Sequence, residues 1–239
     1  MISRTSTRFV VSAFVAIAAA SFLLGAQPAQ AVLLNPGDQL PLPGTTSLAE
    51  PQLAAVVIED ETIGFSFPAA GGGDIIGSVQ QRVSRSEVDG TLDFYWRVFN
   101  DANSAAPIGS FRVGDFVSPE YNANWRIDGL GDKGPDSAHR FDVPKESFVN
   151  FLFESSTAGA APGLLPGQSS TYFFLDTTAT LYAKTATYDL TGTGIGPISD
   201  QFAAFTPTTV PEPTALLLLV VGAGLVLTGG RGFARRSES

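Results

Sequence analysis

Thr91-Leu-Asp-Phe-Tyr-Trp-Arg-Val-Phe99 is the stretch whose pattern decides the fold. Leu92, Phe94, Trp96 and Val98 fall on one side of an extended chain, and Asp93, Tyr95 and Arg97 fall on the other. Successive side chains of a strand leave opposite faces, so this alternation of period two predicts a β-strand with one buried face. Asn100-Asp-Ala-Asn-Ser104 then supplies turn residues, and residues 108–117 are expected to return as the antiparallel partner with Phe111 and Val113 inward.

Working outward, residues 53–205 read as short β-type runs separated by Gly, Pro, Asn and Asp. Further strands are expected at residues 54–58, 62–67, 74–85, 124–127, 140–143, 148–153, 171–175 and 178–190. Many short strands, frequent turns and no amphipathic helix of ten residues or more point to an all-β antiparallel β-sandwich, with a β-barrel as the runner-up. Eighteen phenylalanines and two tryptophans supply enough large apolar surface to close such a core. No fixed-period repeat is present, which argues against solenoids and propellers.

The absence of cysteine removes disulfide scaffolds and thiol chemistry from consideration. Between residues 32 and 210 there are nine basic residues against 21 acidic ones. That balance speaks against nucleic acid, which needs basic patches to neutralise phosphates. An acidic surface mainly favours solubility.

The two ends differ from the body. Residues 1–31 open with Arg4 and Arg8, continue through an apolar stretch at residues 9–26 and close on Ala29-Gln-Ala31. This is the three-part form of a secretory signal peptide, with Ala29 and Ala31 at the cleavage site and Val32 as the new N-terminus. The body is assigned to residues 32–205 and the tail to residues 206–239. The tail runs from a Thr/Pro-rich spacer through Val210-Pro-Glu-Pro213 into a charge-free stretch at residues 214–230, then to Arg231, Arg235 and Arg236. Seventeen residues of helix span about 25 Å, the short end of a transmembrane helix. The trailing arginines hold that end in the cytoplasm and leave the body on the far side, where the leader also places it.

Val210-Pro-Glu-Pro213, the apolar stretch and the Arg-rich end together resemble a PEP-CTERM sorting signal, the substrate tag of exosortases. The resemblance covers about the last thirty residues. It implies an exosortase acting near the motif, a signal peptidase at the leader, and a Gram-negative, exopolysaccharide-producing host. Pro211 and Pro213 forbid a continuous helix and keep Glu212 in extended chain, a form that a processing enzyme can grip. The competing reading is a plain single-pass anchor with a Pro-rich stalk. The segment Leu164-Leu-Pro-Gly-Gln-Ser-Ser-Thr-Tyr-Phe-Phe-Leu-Asp-Thr177 is similar to the body of other such exported proteins, where a Pro-Gly turn precedes a late strand.

Residues able to carry chemistry are few. His139 is the single histidine, no Gly-x-Ser-x-Gly elbow accompanies it, and it reads as an exposed strand-edge or turn residue. One His and no Cys cannot build a zinc site. Asp128-Gly-Leu-Gly-Asp132-Lys-Gly-Pro-Asp136 has the oxygen-rich character that suits Ca²⁺, although Lys133 sits within it and a solvated loop is the competing reading. No other cofactor is expected. Glu59-Asp-Glu61 reads as a solvated turn between two strands, and Gly71-Gly-Gly-Asp74 as a hairpin loop rather than a phosphate cradle. Tyr95 and Tyr121 are the aromatics considered for stacking on sugars.

These features predict a non-enzymatic surface or extracellular-matrix protein, exported and sorted by an exosortase, in contact with exopolysaccharide. Two alternatives stand beside it. One is a secreted hydrolase using carboxylates or calcium on a β-sandwich, and the other is a permanently anchored periplasmic protein that differs only in the fate of its tail.

Overall fold

The computed structural model describes residues 30–116, 118, 120–142, 148–153, 162–194 and 197–209. Among them helix is limited to one 3-10 turn, Pro51–Leu53, and the fold is all-β. The strands are β1 (Val32–Leu33), β2 (Gln39–Pro41), β3 (Ala55–Pro68), β4 (Asp74–Ser86), β5 (Leu92–Asn100) and β6 (Ile108–Gly114). They continue with β7 (Tyr121–Trp125), β8 (Ser137–Arg140), β9 (Val149–Leu152), β10 (Phe173–Thr177), β11 (Tyr182–Gly192) and β12 (Phe202–Pro207). Two six-stranded sheets result, in the orders β1-β7-β10-β5-β4-β3 and β12-β11-β6-β9-β8-β2. Every neighbouring pair of strands is antiparallel.

The inner side of β5 behaves as its alternation requires: Leu92, Phe94 and Val98 are fully buried and Trp96 nearly so. Trp96 lies 5.6 Å from Phe111 and 6.3 Å from Phe151 of the second sheet, and 6.2 Å from Phe173 of its own, centroid to centroid. Side chains from both sheets therefore share one apolar core. Large rings at these tilted and stacked distances combine area burial with favourable aromatic geometry.

The expected pairing of β5 with the run after it does not form. β5 lies between β4 and β10 in the first sheet, whereas β6 lies between β9 and β11 in the second. The link between them is tied to other elements: Asp101 N–H donates to Ile76 O, Ala105 N–H to Asp74 O, and the Asn100 side chain to Ala106 O and Leu164 O. Those bonds carry the chain from one sheet to the other instead of folding it back. Phe111 and Val113 point inward as expected, but against the core from the opposite sheet.

The expected turn at Glu59-Asp-Glu61 is also corrected. β3 runs straight through these residues, with a register shift between Val57 and Glu59. Their charges are satisfied across the sheet and beyond it: Asp60 pairs with Arg82 at 2.8 Å, Glu61 with Lys184, and Glu59 accepts from Tyr182 at 2.7 Å. Opposite charges on facing strands favour continued pairing, so an acidic run need not break a strand. The hairpin sits instead at residues 69–73, where Gly72 and Gly73 take φ of 91° and 76°. β12 runs to Pro207, into the stretch read as spacer.

Ala29, Val210, Pro211, Glu212, Pro213, Arg231, Arg235 and Arg236 lie outside the described residues. Among the described residues no helix is long and apolar enough to cross a membrane.

Candidate functional site

The face of the first sheet that turns away from the second carries the unusual side chains. Register fixes its rows. Asp60, Arg82, Tyr95, Phe174 and Asn124 stand in line across β3, β4, β5, β10 and β7. Val57, Ser84, Asp93, Asp176 and Asn122 form the row beside it. Asp93 and Tyr95 were expected in solvent, yet they are 1% and 6% exposed. The cause is a cover from far upstream: Leu53 of the 3-10 turn packs on Tyr95 and Phe174, with Ala31 and Tyr172 against the same cluster. Tyr121 is buried too, in the main core beside Phe116 at 5.6 Å, so neither tyrosine considered for sugar stacking presents a ring to solvent.

The cover is held by polar bonds. Glu50, just before the 3-10 turn, accepts the Ala31 N–H at 2.9 Å on Oε1. Asn124 is fully buried; its Oδ1 accepts from Gly44 N–H at 2.8 Å and Trp125 N–H at 3.0 Å, and its Nδ2 donates to Gln30 O at 3.1 Å. Gly44 sits at φ 78° beneath the Trp125 and Ile127 side chains, where a Cβ would come within 2.7 Å of both.

Beneath the cover, Asp93 and Asp176 face each other across β5 and β10. Burial, reinforced by the Asp176 charge, pushes the Asp93 carboxyl up to about 9. Burial raises Asp176 as well. Two carboxyls this close in a dry setting cannot both ionise at neutral pH. Tyr95, whose hydroxyl stands 3.4 Å from Asp93 Oδ2, is also pushed up by burial. Asp176 opens onto a cleft of about 470 Å³ shared with Asp89, Glu120 and Asn122.

On the other side of the cover lies a smaller cleft of about 200 Å³, lined by Leu53, Val57, Ser84, Tyr95, Arg82, Arg126 and Tyr172. The Arg82 guanidinium stands 4.7 Å from the centre of the Tyr172 ring and that of Arg97 5.8 Å from it, distances at which cation–π attraction operates. Tyr172 donates its hydroxyl to Gln80 Oε1 at 2.6 Å, and burial raises its ionisation. Arg82 holds Asp60 through Nε, and Arg97 bonds Ser170 O and Ser169 Oγ. Arg126 bonds Asp128 twice, at 2.7 and 2.9 Å, and the Leu53 carbonyl once. With the Arg126 fork taken up by Asp128 and the Leu53 carbonyl, Arg82 beside the Tyr172 ring is the guanidinium best placed for a planar anionic group, since guanidinium matches carboxylate geometry.

The other sequence candidates are not brought into either cleft. His139 lies on β8 between β2 and β9 rather than at an edge, half-buried with its ring 4.1 Å from that of Phe141. Asp128 is committed to Arg126 and Ser47, which hold its carboxyl down at about 2. Asp132 accepts from Ser169, and Asp136 lies 3.6 Å from Lys133, so the acids of the proposed calcium loop turn to separate partners. Among the described residues no group of three or more His, Asp or Glu is placed to hold a metal ion. Gly71 to Asp74 lie at the β3–β4 hairpin, as expected. Sequence reasoning missed Glu50, Arg82, Asn124 and Tyr172. Only Tyr172 carried a signal, its place just after the Pro166-Gly167 turn.

No family model matches the chain, and neither a curated protein nor a solved structure matches it.

Proposed function

We propose that this chain is an exported, non-enzymatic surface or extracellular-matrix protein, sorted by an exosortase through Val210-Pro-Glu-Pro213, whose β-sandwich body associates with an acidic exopolysaccharide. The observation that carries the binding part is the cleft lined by Arg82, Arg126 and Tyr172, with Arg97 5.8 Å from the same ring, on a chain of net charge −9. A neutral glycan needs no such gathering. A uronate-bearing polymer offers a carboxylate to the Arg82 guanidinium and a sugar face to the tyrosine. The sorting part rests on the resemblance of the tail, and the absence of a catalytic motif supports a role without turnover.

Binding to a uronate polymer and to a neutral dextran, measured by affinity electrophoresis at low salt, tests the reading. Retardation by the uronate polymer alone is expected, weakened at least tenfold by Tyr172→Ala and by Arg97→Ala, and fading with salt. Equal retardation by both polymers, or none, discards it.

A second reading, the carboxylate hydrolase, draws on the Asp93–Asp176 pair at the edge of the acidic cleft. Turnover of polysaccharide or ester substrates that is lost in Asp176→Asn would move the conclusion to it.

A further inference from the structure

Glu50, Asp93 and Asp176 lie together under the cover, and the Glu50 charge is felt at Asp176. None of the ion pairs among the described residues involves any of the three. Glu50 is 7% exposed and its Oε2 is buried without a hydrogen-bond partner, whereas Asp93 keeps its proton and shares it with Asp176. A buried carboxylate with an unmet oxygen is unfavourable, so a positive group is missing beside Glu50. A metal ion is a poor candidate, since the described acids form no ligand group for one.

The chain itself supplies another cation. Residues 30–34 run along β7: Gln30 O accepts from Asn124, Ala31 N–H donates to Glu50 Oε1, Val32 pairs with Ala123, and Leu34 N–H donates to Tyr121 O. The Ala29-Gln-Ala31 motif places the leader's scissile bond between Ala31 and Val32. Its hydrolysis takes up one water, leaves a carboxylate on Ala31 and converts the Val32 amide nitrogen to an amine that is protonated at neutral pH. That nitrogen lies one residue from the amide now held by Glu50, a step of about 3.3–3.6 Å along extended chain. The same cut removes the Ala31 N–H, so Glu50 Oε1 loses its donor and joins Oε2 without one unless the new terminus replaces it.

We infer that Glu50 is the docking site for the α-ammonium group of Val32, which forms a buried ion pair with it once the leader is removed. This rests on the proposed cut after Ala31. Processing is then a step in folding: the uncut chain carries an under-satisfied acid beneath its cover, and the cut chain carries a compensated one. The ammonium has three donors, enough to serve both Glu50 oxygens and a neighbouring acceptor.

The test compares the uncut 239-residue precursor, from cell-free synthesis without membranes, with the processed chain from synthesis with membranes carrying signal peptidase. Intact mass of the processed chain is read first, and a start other than Val32 overturns both the cut and the docking. With a start at Val32, Glu50→Gln is expected to lower the melting temperature of the processed chain by about 3–6 °C at pH 6.5. The same change is expected to leave the precursor unchanged or raise it, because glutamine still accepts the Ala31 N–H and removes an unpaired charge. An amine paired in the folded state has its pKa raised above the unfolded value of about 7.7–8.0. Its contribution is therefore complete below that value and is lost as pH rises through the folded one, so the Glu50→Gln difference should vanish by about pH 10.5. Equal shifts in both forms overturn the docking while leaving the cut standing. If Glu50→Gln fails to fold, the wild-type α-amine is labelled with an amine-reactive reagent. Labelling at least tenfold slower than in denaturant supports the ion pair, and equal labelling overturns it.

Discussion

Both faces of β5 are buried from Leu92 to Trp96, but by different chemistry. The inner face of β5 meets Phe111 and Phe151 from the second sheet and is apolar along Leu92, Phe94, Trp96 and Val98. The outer face is covered by a 3-10 turn and a short N-terminal segment, and it encloses Asp93, Glu50, Asn124 and the Tyr95 hydroxyl. Removal of apolar area from water is non-directional, so the inner face is stabilised by bulk and fit. A polar interior requires each donor and acceptor to find its partner, so the outer face is specified by a few bonds and is weakened wherever one is missing.

The largest effect that would sharpen this contrast is expected from Trp96→Ala. It removes the ring that touches Phe111, Phe151 and Phe173 and leaves a cavity, for a loss of about 3–5 kcal/mol in chemical denaturation. A loss below about 1 kcal/mol would mean that the two sheets do not share a core through this residue.

On the outer face the expected sign reverses for Asp93→Asn. The folded carboxyl, at about 9, keeps a proton that the unfolded chain releases above about pH 4. Between those values the unfolded state binds fewer protons, so wild-type stability falls as pH rises from about 4 toward 9 and levels off above. Asn removes that fall, and the variant is expected to be more stable than wild type at pH 8, with little change at pH 4. Urea melts of both proteins across this range check the sign, and parallel curves would break the contrast.

Asn124→Ala is the smaller probe, because it strips the acceptor from Gly44 N–H and Trp125 N–H while leaving the apolar core intact. Two buried donors lose a partner, for an expected cost of about 1–2 kcal/mol by urea denaturation. Hydrogen exchange should quicken at Gly44 and not at Val98.

The inner face was legible in the sequence because one strand reports its own core by alternation: Leu92, Phe94, Trp96 and Val98 needed no partner to be read. The outer face was not legible, because Asp93 and Tyr95 look solvent-directed until Leu53 is known to lie over them. That contact spans some forty residues and leaves no periodic trace. The same limit explains the pairing that fails after the Asn100–Ser104 turn and the corrected turn at Glu59–Glu61. Asn100 to Ser104 has turn composition, but its hydrogen bonds carry the chain across to the other sheet. Glu59 to Glu61 looks solvated until Arg82, Tyr182 and Lys184 stand opposite. Tyr172 was missed although it follows a Pro-Gly turn, because its arginine neighbours come from strands distant in sequence.

The margins of the two sheets are where a further strand would have to add. β3, a margin of the first sheet, carries Glu59, Asp60 and Glu61 and ends at Pro68, and β1 on the opposite side is two residues long. In the second sheet β2 is three residues long and ends at Pro41, while β12 ends at Pro207. An unpaired strand invites another chain to add to it, and short length, proline and like charge each discourage that addition. Short length, proline and the acidic run therefore make these margins poor templates for strand addition by another copy.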